Sequence, residues 1–178
     1  MNSGPTTKTV EIPCYPQAVI GFRAWHWNAE ALTLRALWWS HLEWTRGLNH
    51  FSCLQRHSFP DSKHNCGLHA YHALGHDIRE QIRTARQHSL VERYFGGGSP
   101  DTILIGAVLA KGYLQIHEDG FRAEKMSVIA FKKPGLLDKQ PASTAAEHFQ
   151  VPLLGTRQLR GYAQSLGQPV PRELIPRW

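Results

Sequence analysis

Two cysteines and two histidines lie close together in the first half of the chain. Cys53, His57, His64 and Cys66 follow the spacing C-x3-H-x6-H-x-C, with turn-forming residues between them. Thiolate sulfur and imidazole nitrogen are ligands that zinc binds in tetrahedral sites. Because all four ligands come from the protein, the pattern predicts a closed structural Zn²⁺ site. The alternative is chance clustering in a chain with eleven histidines.

The local sequence favours convergence of these four side chains. Cys53 and His57 are four residues apart, so one helical turn would place both on the same face. Gly67 follows Cys66 directly, and glycine tolerates the positive φ that lets a tight His-x-Cys turn curl around an ion.

Other patterns bear on catalysis. His69, His72 and His76 are spaced i, i+3 and i+7, which would be one helix face, and they are candidates for a second metal site or for a solvated face. The H-E-x-x-H pattern of zinc proteases and the deaminase signature are absent. The sequence therefore favours a non-enzymatic protein, and a metal-dependent hydrolase is the least favoured interpretation.

A basic stripe follows on the same predicted helix, formed by Arg79, Arg83, Arg86 and Arg93. Arginine makes charge-assisted hydrogen bonds to phosphate, so the stripe predicts contact with a nucleic-acid backbone. The net charge of +6 and the pI near 9.5 agree with an acidic partner. The alternative is a solvated helix face that Asp77, Glu80 and Glu92 partly balance.

Six tryptophans, four of them within residues 25–39, indicate either a core or an exposed face. An exposed face would suit base stacking or a protein–protein adaptor. The odd count of three cysteines argues against a disulfide framework. No signal peptide or membrane span is expected, since the longest apolar run covers only residues 103–110. These features predict a cytoplasmic protein without a membrane partner.

Periodicity and turn residues predict an α+β fold. Residues 1–16 are expected to form a flexible N-terminal lead-in, and residues 17–178 a single zinc-stabilised domain. Its sheet or small barrel combines a hairpin (18–27 and 31–39) with a three-stranded meander (102–109, 113–117 and 121–131). Helices are predicted over 68–94, with a division at Gly75, and over 143–149 and 157–166.

Several short motifs resemble a family of uncharacterised actinobacterial and phage proteins. The matches are Gly21-Phe22-Arg23-Ala24-Trp25, the first cysteine Cys53, residues 56–60 and 64–70, and Gly120-Phe121-Arg122-Ala123-Glu124. The family pattern has cysteine where His64 stands, and both residues ligate zinc, so the resemblance supports coordination. It has tyrosine at the position of His69, which argues against a ligand there. The resemblance implies a phage or mobile-element accessory protein.

Together these features predict a non-enzymatic, zinc-stabilised binding protein with nucleic acid as the favoured partner. A protein–protein adaptor that uses a tryptophan-rich face is the alternative from a different class. Salt-sensitive binding to nucleic acid would separate the two.

Overall fold

The computed structural model describes residues 8–37, 43–51, 67–96, 102–135 and 139–176. Within them lie eight strands and three α-helices. The strands are β1 (Val10–Asn28), β2 (Thr33–Ala36), β3 (Glu43–Trp44), β4 (Leu48–His50), β5 (Leu68–Tyr71), β6 (Thr102–Ile116), β7 (Gly120–Lys132) and β8 (Leu153–Leu154). The helices are α1 (His76–Gly96), α2 (Lys139–Phe149) and α3 (Thr156–Leu166), followed by a 3₁₀ turn at Arg172–Leu174.

The sheet is mostly antiparallel and is built on three long strands. β1 pairs with β6 along almost its whole length, and β6 pairs with β7. Both faces of the sheet are covered along residues 103–110 of β6, so this stretch is apolar on both sides. One face packs against α2 through Ala142, Ala145 and Phe149. The other face packs against Ile78 of α1 and Leu159 and Ala163 of α3.

The second edge of β7 carries three short strands in succession. β5 pairs with residues 120–123, β4 with residues 125–127, and β8 with residues 131–132. β5 also meets β1 at Tyr71 and Phe22. The eight strands form one mostly antiparallel sheet, the fold is α+β, and the described residues form no clear barrel.

The predicted fold class is confirmed at this level, and several elements agree in detail. The hairpin turn follows β1, where the Asn28 side chain accepts hydrogen bonds from the N–H groups of Glu30 and Ala31. The predicted turn at residues 118–120 separates β6 from β7. α2 ends at Phe149 and α3 covers residues 156–166, with Gly167 as its C-cap.

The first strand and the meander differ from the prediction. Among the described residues, regular structure begins at Val10, because β1 pairs with β6 from Val10 onward. Residues 102–116 are one strand, so the predicted meander is a two-stranded hairpin. Gly112, with a φ of +82°, accommodates a bulge where a turn was expected. A Gly in this conformation lets the strand continue past an extra residue.

Two predicted helix starts are also wrong. Residues 68–71 form β5, and α1 begins only at His76, directly after Gly75. α2 begins at Lys139 rather than at residue 143. No helix in the described part of the chain has the length and apolarity needed to span a membrane.

Candidate functional site

The predicted zinc ligands Cys53, His57, His64 and Cys66 lie outside the described residues. Among the residues that are described, no group of three or more histidine, cysteine or acidic side chains is placed to hold a metal ion. Cys14, the remaining cysteine, is exposed on β1. The zinc site therefore stays a prediction, and the structure contributes the positions at which its segment begins and ends.

The residues that flank the ligand segment pair with neighbouring residues of β7. Before it, His50 is the register partner of Lys125, and the Phe51 N–H donates to the Glu124 carbonyl oxygen at 2.8 Å. After it, Leu68 is the register partner of Ala123. β4 and β5 both run antiparallel to β7 and pair with successive stretches of it. Phe51 and Leu68, which flank residues 52–66, therefore lie close together in space.

Gly67 joins the ligand segment to β5 and has a φ of +116°. Its position directly after Cys66 predicts a positive φ at this residue. An L-residue with a side chain would be strained in this conformation. The predicted backbone freedom at Gly67 is confirmed.

The predicted basic stripe lies on α1 as expected. Arg79, Arg83 and Arg86 are exposed, and they line a shallow depression together with Ile82 and Gln87. Ile78 and Ala85 are buried and anchor the adjacent side of the helix, so the arginines lie beside the apolar side and are open to solvent. Arg93 belongs to α1, but its side chain lies outside the described part of the chain.

The acidic residues of α1 only partly balance these arginines. Glu80 accepts two hydrogen bonds from Arg83, one turn further along, and this pairing lowers the pKa of the Glu80 carboxyl group. Asp77 lies 3.6 Å from the His76 ring. Exposed pairs of this kind are weak and exchange readily with other partners. Arg83 is thus able to leave Glu80 for a phosphate.

The proposed histidine face for a second metal does not exist on α1. His69 lies in β5, His72 lies in the bend after it, and only His76 is helical. His72 instead ties β5 to the β6–β7 turn. Its backbone N–H donates to the Asp119 carbonyl oxygen, and its Nε2 lies 2.9 Å from the carbonyl oxygen of His117.

A polar row that the sequence analysis did not identify crosses four strands of the sheet. Glu11 is the register partner of Gln115, Gln115 of Arg122, and Arg122 of His69. Gln115 and Arg122 are buried. The Arg122 Nε–H donates to Nε2 of His117 at 3.1 Å. In the sequence, this row could have been found from Gln115 and Arg122, because these long polar side chains interrupt otherwise apolar strands.

Electrostatics keep His117 neutral. Burial lowers its pKa to about 4, and the nearby positive charge of Arg122 contributes to the shift. Burial also lowers the pKa of His72. Arg122, His117 and His72 therefore form a network of a buried arginine and neutral imidazoles, and such a network suits a structural role in the sheet. The described residues of this network include no activated nucleophile.

Arg23, on β1, is bound to β5 in a related way. Its Nη1 donates to the carbonyl oxygen of His69 at 2.5 Å, and its guanidinium lies 5.1 Å from the ring centroid of Trp44. Burial lowers the pKa of Arg23 to about 10. Its position is structural, since it joins three strands.

The tryptophans in the described residues belong to the core. Trp25, Trp27 and Trp44 are at most 4% exposed, and Trp25 packs edge-on against Trp44. These three side chains are therefore not available for base stacking or for a partner protein. Trp38, Trp39 and Trp178 lie outside the described residues.

Basic residues on α3 were also missed by the sequence analysis. Arg157 and Arg160 are exposed, and α3 contains no acidic residue. The Arg160 Nη2 donates to the carbonyl oxygen of Leu74, just before α1. The sequence signal was a short helix with two arginines and no compensating acid.

Comparison with known proteins finds no matching family model, no matching curated protein and no matching solved structure. Function is therefore inferred from the residues and from their positions in the fold.

Proposed function

We propose that this protein is a non-enzymatic, zinc-stabilised nucleic-acid-binding protein whose helix α1 contacts the phosphate backbone. The observation that carries the proposal is the joint exposure of Arg79, Arg83 and Arg86 on one side of α1. These three residues span about 10 Å along the helix, at 1.5 Å per residue. Guanidinium groups in such a row match the chemistry of successive phosphates.

The burial pattern of α1 supports this role. Ile78 and Ala85 alone provide fully buried apolar anchors in residues 76–87, and most of the remaining surface is polar. A helix held by a narrow apolar side leaves a wide face for a partner. The overall charge of +6 favours an anionic partner and speeds its association.

The zinc part of the proposal is supported by the residues that flank 52–66. Cys53, His57, His64 and Cys66 would hold the ion, and their sulfur and nitrogen donors fit Zn²⁺. Phe51 and Leu68 pair with neighbouring residues of β7, so the two flanking positions lie close together. A bound ion would cross-link this segment internally. Its contribution is structural, because four protein ligands leave no open coordination position.

Nucleic-acid binding is tested by fluorescence anisotropy with a labelled 20-base-pair DNA duplex at several salt concentrations. The variant Arg79→Gln/Arg83→Gln/Arg86→Gln should bind at least about tenfold more weakly and should show a smaller salt dependence. The matched control is Arg46→Gln/Lys139→Gln/Arg172→Gln, which removes three exposed positive charges outside α1. Equal affinity of both variants and the wild type would overturn the role of α1.

Zinc binding is tested by elemental analysis of the purified protein, with Cys66→Ser and Cys14→Ser as a matched pair. We expect about one zinc per chain in the wild type and in Cys14→Ser, and loss of metal with a lower Tm in Cys66→Ser. Equal metal content and equal Tm in all three proteins would refute the structural site.

A further inference from the structure

Helices α1 and α3 lie on the same face of the sheet. Ile78 of α1 and Leu159 and Ala163 of α3 belong to one apolar cluster, together with residues of β1, β6 and β7. Only Leu159 and Ala163 of α3 are buried, so most of this helix remains exposed. The outer surfaces of the two helices are thus parts of one side of the molecule.

Arginines from both helices meet at the connection between β5 and α1. The Arg160 Nη2 donates to the carbonyl oxygen of Leu74 at 3.2 Å, and the Arg79 Nε donates to that of Gly75 at 3.4 Å. These carbonyl groups belong to consecutive residues, so the two guanidinium groups lie at neighbouring points. The basic surfaces of α1 and α3 are therefore continuous there.

The charge on α3 is not explained by the stability of the helix. Arg157 lies in the first turn, where the partial positive charge of the helix N-terminus disfavours a cation. No acidic residue lies on α3, and Arg157 forms no ion pair with any residue that the structure describes. Arg157 and Arg160 are three residues apart and share one side of the helix. Two exposed cations are thus kept close together without compensation.

We infer that Arg157 and Arg160 of α3 extend the α1 stripe into a two-helix surface that binds the phosphate backbones of double-stranded DNA. This inference rests on the nucleic-acid binding proposed above. Two basic helices on one side suit a duplex, which presents two phosphate strands.

The test compares Arg157→Gln/Arg160→Gln with the wild type in anisotropy titrations of a 20-base-pair duplex and of one of its single strands. The matched control is Lys139→Gln/Arg172→Gln, which removes the same charge on the α2 side of the sheet. Losing two phosphate contacts should reduce the magnitude of the negative slope of log affinity against log salt by about two. It should also weaken duplex binding roughly tenfold. The control should retain nearly wild-type values.

Arg157→Gln alone separates binding from stability, because Arg160 also bonds the Leu74 carbonyl. The Arg157→Gln protein should keep the wild-type Tm, and the magnitude of its salt-dependence slope should fall by about one. If the wild type binds the duplex but the α3 variants keep its affinity and slope, the inference is overturned and the proposed role of α1 survives. Tighter binding of the single strand than of the duplex also overturns it. No binding by the wild type at low salt would refute the proposed function itself.

Discussion

Gly21 and Gly120 lie against the same residue, Ala70, from the two strands that flank β5. A Cβ atom on Gly21 would lie 2.7 Å from the Ala70 Cβ, and one on Gly120 would overlap the Ala70 carbonyl oxygen. Each glycine begins a Gly-Phe-Arg-Ala tetrapeptide, at residues 21–24 and 120–123. The repeated tetrapeptide thus has the same role on both sides of β5. Its glycine lacks a side chain and so leaves room for β5 to pack between β1 and β7.

Substituting either glycine by alanine should therefore destabilise the sheet. Gly21→Ala and Gly120→Ala introduce a methyl group into occupied space, and we expect a loss of about 1–3 kcal/mol in the free energy of unfolding. Gly120→Ala should be the worse of the two, because its added Cβ would lie 2.2 Å from a backbone oxygen, whereas the added Cβ at Gly21 would meet the Ala70 methyl group at 2.7 Å and the Phe121 ring. Urea denaturation measures both effects.

Gly161→Ala is the control for this prediction. An added Cβ at Gly161 has no neighbour within 4 Å, and the residue lies inside α3. This variant should gain about 0.5–1 kcal/mol from helix propensity. A Gly120→Ala protein as stable as the wild type would show that β5 is not held as closely as described.

Residues 68–71 form a strand although their periodicity predicts a helix. Leu68 and Tyr71 fit a helical spacing, and they continue smoothly into the pattern of α1. The segment is a strand because β1 and β7 both offer it hydrogen-bonding edges, which are distant in sequence. Local spacing cannot report such pairing, and tertiary context overrides it.

Local spacing also decided which residues of the candidate site could be predicted. Arg79, Arg83 and Arg86 follow one another on one helix, so their spacing alone placed them together. Arg160 reaches Leu74 across 86 positions of sequence, and only the folded sheet brings them together. The contact of the buried Arg122 with His117 spans only five residues, but it forms because the turn between β6 and β7 folds His117 back toward β7, and side-chain spacing alone does not show this.

Arg23 should not tolerate replacement by lysine. A lysine keeps the positive charge but loses the planar group that lies over Trp44 and donates to the His69 carbonyl oxygen. We expect Arg23→Lys to lower the free energy of unfolding by about 1–3 kcal/mol. Arg35→Lys is the control, because Arg35 forms an exposed pair with Glu43 and should change stability by less than about 1 kcal/mol.

Two buried amides should respond oppositely to apolar substitution. The side-chain amide of Asn49 has all its hydrogen-bonding groups satisfied. Its Oδ1 accepts from the Thr45 N–H, and its Nδ2 donates to the carbonyl oxygens of Thr45 and Gly47. Gln115 donates to Glu11, but its Oε1 is buried without a hydrogen-bond partner among the described residues. Asn49→Leu should cost about 2–3 kcal/mol, whereas Gln115→Met should be near neutral or stabilising. Chemical denaturation compares the two, and a large loss in Gln115→Met would indicate a further partner for that oxygen.

The network around His117 should make the protein less stable in acid. Arg122 donates to Nε2 of His117, so this nitrogen carries no proton in the native state. Burial foremost, and then the charge of Arg122, lowers the pKa of His117 to about 4, whereas an unfolded histidine titrates near 6.5. Between these two pH values the unfolded chain binds the proton and the native protein does not. Stability must therefore fall as the pH decreases from about 6.5 to about 4.

The variant His117→Gln tests this linkage, because glutamine does not titrate. Its Tm should vary less between pH 6.5 and pH 4 than the Tm of the wild type, and the two profiles should run parallel above pH 7. His72, whose pKa burial also lowers, should still contribute part of the slope in the variant. His50→Gln on β4 is the control and should keep the wild-type profile. If His117→Gln retains the full acid dependence, the proton is taken up elsewhere, and the hydrogen bond from Arg122 does not hold His117 neutral.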